Sequence, residues 1–237
     1  SRRQPTATPP MTPKPTGGQS RGEPHPHRRR AGYRAVLADR AFLLLLATSF
    51  LFVLCSLVID VLLTVYVTTT LHRPAWLAGL LFTLSGILVV TTQTMVTRRT
   101  ERHPHTRVLQ LAAALWGVSF VLMWAAATAP APVVVPGLVA ATLCFTAAES
   151  LAMPTLNDLV VTLAPAGRQG RYFAMQGLTW IVPQTIAPAA FTWLLDHGTG
   201  WPWVTLLLGC GASAAALSRL RRTLPITPPS PAQPEGQ

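Results

Sequence analysis

Charge is scarce in this chain, and acidic charge is scarcest of all. Only 11% of the 237 residues are charged, where a soluble domain carries about a quarter. The acids number eight: Glu23, Asp39, Asp60, Glu101, Glu149, Asp158, Asp196 and Glu235. So few acids exclude an ordinary soluble enzyme or binding domain. Cysteine is rare too. Cys55, Cys144 and Cys210 each lie inside an apolar run and lack metal-ligand spacing, which argues against a disulfide framework or a thiolate metal site. They read as buried thiols acting as small hydrophobes. No GxxxxGK[ST] or GxGxxG cradle for phosphates is present, so ATP-driven transport by this chain alone is unsupported. No nucleophile–base pair is visible. His25, His27, His103 and His105 form HPH pairs in arginine-rich segments without partner ligands. No enzyme activity, metal or other cofactor is expected.

What the chain does have is long apolar runs. Hydrocarbon about 30 Å thick needs about 20 apolar helical residues to cross it. Six stretches qualify: about Ala41 to Thr68, Ala75 to Thr97, Val108 to Thr128, Val134 to Leu163, Tyr172 to Leu195 and Trp201 to Leu217. Runs such as FLLLLA and AAALWGVSFVLMWAAA are apolar all round, whereas β-barrel strands alternate. The expected fold is therefore an all-α membrane protein with six transmembrane helices. Residues 39–222 form that domain. Residues 1–38, rich in Pro, Gly, Thr and Arg, are expected to be a disordered cytoplasmic arm or linker remnant, and 223–237 a disordered cytoplasmic tail.

The 19 Lys and Arg give a formal net charge of +11, which first points to nucleic acid or anionic lipid. Placement decides between them. Fourteen arginines flank one side of the six runs and only Arg73 the other. By the positive-inside rule both termini are cytoplasmic, and the basic clusters lie at a bilayer face with no nucleic acid as partner. Trp76, Trp193, Trp201 and Trp203 fall at the outer boundaries, where amphipathic rings settle. Trp116, Trp124 and Trp180 lie within spans as packing or cavity residues. Gly209 with Ser213 and Gly211 with Ala215 would let a neighbouring helix come close.

Ionisable groups in hydrocarbon are costly, so each one needs a reason. Asp60 shares a helical stripe with Ser49, Ser56, Thr64 and Thr68, expected to face the interior or a water-filled cavity. It either handles substrate or protons or is a structural acid. Glu149 lies near the middle of the fourth span. A carboxylate there that takes up and releases a proton is what a proton-coupled transporter requires, and a structural contact to a neighbouring helix is the alternative. Asn157 and Asp158 sit further along that span, where Asp158 can latch onto Arg168 or Arg171 or act as a gate. Pro154, Pro183 and Pro188 lack an N–H and should kink the fourth and fifth helices. Gln176, Trp180 and Gln184 recur every fourth residue, giving the fifth span a polar-aromatic face. Together these features predict a cavity between the first, fourth and fifth spans.

The stretch PTLNDLVVTLAPAGRQGRYFAMQGLTWIVPQTIAPAA, residues 154–190, resembles the C-terminal half of major facilitator superfamily transporters, most of all bacterial proton-driven drug-efflux members. The family's "AP…RG" turn corresponds to Ala164, Pro165, Arg168, Gly170, Arg171 and Tyr172. RRTERHPHTR (98–107) resembles the loop between helices eight and nine, without most of its Gly and Asp landmarks. The resemblance implies that the spans are helices seven to twelve of a twelve-helix transporter in the inner (plasma) membrane. It also implies antiport of a small amphiphilic molecule against protons, together with a second six-helix half. The start at Ser1 fits a chain cut short. A non-transporting membrane scaffold or inactive transporter fragment is the other reading.

Overall fold

The apolar runs settle into helices because a peptide group cannot enter hydrocarbon unpaired, and a helix pairs its groups within one segment. The computed structural model describes residues 40–100, 103–164 and 169–223. The expected arm over 1–38 and the residues beyond Thr223 lie outside these. Six long apolar helices are present: α1 (Arg40–Thr70), α2 (Ala75–Thr100), α3 (His105–Ala126), α4 (Ala131–Leu163), α5 (Gln169–Asp196) and α6 (Trp201–Thr223). No strand occurs among the described residues. The all-α, six-span expectation holds, and most helices extend a few residues past the apolar runs.

α1 departs from an ordinary helix. It is α-helical over Arg40–Leu57, then contains two π-helical turns at Val58–Leu62 and Tyr66–Thr70 around the short α segment Leu63–Val65. The Leu63 N–H reaches Val58 and the Leu71 N–H reaches Tyr66, each five residues back. One extra residue in a turn rotates the downstream face by about 100°. The expected stripe is split as a result. Ser49 and Ser56 are buried, while Asp60 and Thr64 are exposed and Thr68 is half-buried. The helix ends at Thr70, and beyond it His72, with a positive φ of 50°, turns the chain so that the Arg73 N–H meets the Val67 carbonyl at 3.0 Å, with Pro74 next.

α1 is the most enclosed span and the pivot of the packing, lying chiefly against α5 and α6. α3 packs on α4 and α6, and α2 packs on α4. α4 and α5, though consecutive, barely meet. Lipid tails are as apolar as leucine, so close packing and hydrogen bonds hold such a bundle together. The core accordingly centres on large interlocked rings. Trp116 meets Phe52 at 4.9 Å and Phe145 at 6.1 Å between centroids, while Phe120 meets Phe145 at 6.4 Å and Trp203 at 6.2 Å. Trp203 therefore corrects a sequence expectation. It is 0% exposed and packs edge-on to Tyr66 at 4.9 Å, rather than sitting in a boundary belt. Trp76, Trp193 and Trp201 are exposed. Of the small pairs on α6, Gly209 lies against Leu51 and Ser213 is buried, whereas Gly211 and Ala215 face outward.

Candidate functional site

α2 and α4 are held together from inside by a hydroxyl pair. Ser85 and Thr146 share a buried bond of 2.8 Å. One turn further along each helix, four residues past Ser85 and three past Thr146, come Val89 and Glu149. Both line a cavity of 330 Å³ together with Gln93, Ser150, Met153 and Pro154. The cavity is thus walled by the second and fourth spans. α1 and α5, expected as its other walls, contribute no lining residue; they pack on each other, and α5 scarcely touches α4.

The wall combines apolar surface with a few polar groups. Val89, Met153 and Pro154 supply hydrocarbon. Glu149, half-buried, supplies the carboxylate. Pro154 has no N–H, so the Ser150 carbonyl four residues back loses its helical partner. The Ser150 hydroxyl is also without a partner among the described residues, although its oxygen is enclosed. Other hydroxyls on this helix behave differently: Thr142 and Thr155 bond back to Leu138 and Leu151. Ser150, next to Glu149 in the chain, thus lacks both its usual carbonyl donor and a hydroxyl partner. α4 nonetheless continues as a helix through Pro154.

Asp60 lies exposed in the first π-helical turn of α1 and does not line the cavity. The other residues named from sequence scatter. Ser56 is buried and satisfied by the Val53 carbonyl at 2.9 Å. Thr64 is exposed, its carbonyl accepting from Thr68 at 2.8 Å. Gln176 is buried and donates to Asn157 Oδ1 at 3.2 Å, a polar link between α5 and α4. Its own Oε1 has no partner among the described residues. Trp180 is half-buried and Gln184 exposed, so the polar-aromatic face runs from the packed side to the surface. Asp158 is exposed, and no ion pair joins it to Arg171 among the described residues. Arg168 lies outside them. Gly170 is exposed and Arg171 half-buried at the start of α5, which runs as helix through the buried Pro183 and exposed Pro188. Val89, Gln93, Ser150 and Met153 are lining residues that sequence reasoning missed. Ser85, Val89 and Gln93, spaced by four, were the available signal for the α2 face.

An all-α bundle of six apolar spans, with a carboxylate lining a half-open cavity between two of them, has the architecture of a multi-pass membrane transporter. The chain belongs to the Major Facilitator Superfamily, whose profile matches residues 7–179 and 45–237. It is also similar to a Na(+), Li(+), K(+)/H(+) antiporter of Planococcus maritimus, at 25% identity over 194 residues. That alignment covers 73% of this chain and 43% of the antiporter, so the chain spans less than half the length of this relative.

Proposed function

We propose that the chain is the C-terminal half, helices seven to twelve, of a proton-coupled antiporter that exports a small amphiphilic molecule. The observation that carries this reading is Glu149 in the wall of a largely apolar cavity. Such a carboxylate requires one positive charge beside it in hydrocarbon, and either a proton or a cationic group supplies it. Mutually exclusive occupancy of one site is what couples two fluxes in opposite directions. Val89, Met153 and Pro154 receive the apolar part of the solute, and 330 Å³ suits a small molecule. Asp60, exposed on this six-helix unit, needs water or protein over it, which a second six-helix half provides. With arginine-rich flanks inside, both termini are cytoplasmic at the plasma membrane. Asp158 and Arg171 then lie at the cytoplasmic end, where Asp158 serves as a gate or as a latch to Arg168.

A second reading rests on the relative's name, which is that of a monovalent cation/proton antiporter. On that reading the charge exchanged for the proton is an inorganic ion, held by Glu149 and the oxygens of Ser150.

Proteoliposomes containing the complete transporter, loaded with a pH dye, separate these readings. Cationic amphiphiles should release protons from the amphiphile exporter, and Na+ or K+ alone from the cation exchanger. Glu149→Gln should cut either signal by about tenfold or more. Undiminished exchange in that variant removes Glu149 from the mechanism. No gradient-dependent flux in the unmodified protein supports a scaffold or inactive fragment instead.

A further inference from the structure

The α1–α6 contact brings two thiols together. Cys55 Sγ and Cys210 Sγ are 3.8 Å apart, both free, at 1% and 5% exposure. They are separated by 155 positions, so only the packing of the first span on the sixth unites them. Gly209, adjacent to Cys210, lets Leu51 approach, and Ser213 is fully enclosed one turn on. Cys55 also lies three residues before the π-helical turn that holds Asp60.

We propose that Cys55 and Cys210 are an oxidisable pair whose disulfide staples α1 to α6 and restrains the π-helical segment above it. A disulfide has an S–S bond of about 2.05 Å, so the two sulfurs must close by about 1.8 Å from contact. Rotations about two Cα–Cβ bonds supply much of that movement. The product is uncharged, so its burial in an apolar interface carries no ionic cost. The oxidant is a membrane-permeant two-electron, two-proton acceptor. With an azodicarboxamide such as diamide, one thiol adds across the N=N bond and the second displaces it. Both thiol hydrogens and two electrons end on the hydrazine as the S–S bond forms. Cys144, half-buried on α4, has no thiol neighbour among the described residues and serves as an internal control.

The test treats the full protein in membranes with diamide, blocks free thiols with N-ethylmaleimide and maps peptides by mass spectrometry. A linked peptide pair joining Cys55 to Cys210 and lighter by two hydrogens is expected, with Cys144 recovered as the alkylated thiol. The linkage should disappear on adding a reductant, and in Cys55→Ser the alkylated Cys210 should be recovered. Recovery of both thiols alkylated in the unmodified protein overturns the pairing. Hydrogen exchange of the amides at 58–70 then reads the restraint, with about tenfold slowing expected after oxidation. Unchanged exchange in the linked protein overturns the staple's effect on α1. Neither readout depends on transport.

Discussion

Tyr66 performs a capping task that its place in an apolar run conceals. The last carbonyls of a helix have no intrahelical donor. At the end of α3 the Ala127 N–H turns to Trp124 and Ala125, and the buried Tyr66 hydroxyl donates to the Met123 carbonyl at 2.7 Å. The same ring packs on Trp203. Tyr66→Phe keeps the ring and removes the donor, so it should cost about 1 kcal/mol. Thermal unfolding in detergent is the measurement, and an unchanged midpoint would show that the bond contributes nothing net. Sequence could not reveal this role, because the acceptor is a backbone carbonyl 57 residues away. Glu149 and Asp60 stood out from sequence for the opposite reason. Carboxylates are rare in such surroundings, and rarity is visible one residue at a time.

At the scale of elements, length was legible and register was not. Hydrocarbon imposes a minimum run of apolar residues, and six such runs can be counted directly. The same apolarity on all sides removes the contrast that would show which face turns inward. That is why α2, with its inconspicuous Val89, was missed as a wall of the cavity, while the polar groups of α1 and α5 drew the expectation to those spans instead. VIDVL and YVTTT read as plain helix, and their π-helical winding depends on the packing around them. Pro154 shows both sides of this limit. Its lost hydrogen bond follows from its chemistry, but the continuity of α4 through it does not. Pro154→Ala should restore an N–H to the Ser150 carbonyl and raise stability, by no more than the ~3 kcal/mol by which Pro disfavours a helix interior. On the inorganic-cation reading it should also slow transport by withdrawing that oxygen from the cavity. Calorimetry paired with flux on one preparation checks both. A gain in stability with undiminished flux would leave Ser150 outside the transport path.

Across the whole molecule the packing divides into a firm back and a sparse front. α3, α4 and α6 share the large rings, whereas α2 and α5 are the least enclosed spans. Exposed Phe82, Ile87 and Val90 on α2, with Ile181, Val182 and Ile186 on α5, leave apolar flanks for lipid or a second half. Composition made the membrane solvent legible. It did not show which apolar surface meets lipid and which meets protein, because both favour the same side chains.

The enclosed Trp203 has an optical consequence. Its indole and that of Trp116 are fully enclosed, while those of Trp76, Trp193 and Trp201 are open to the surroundings. In bilayers of brominated lipids, emission should fall into two populations, one dimmed by bromine contact and one spared. Trp203→Phe should diminish the spared light and leave the dimmed part unchanged.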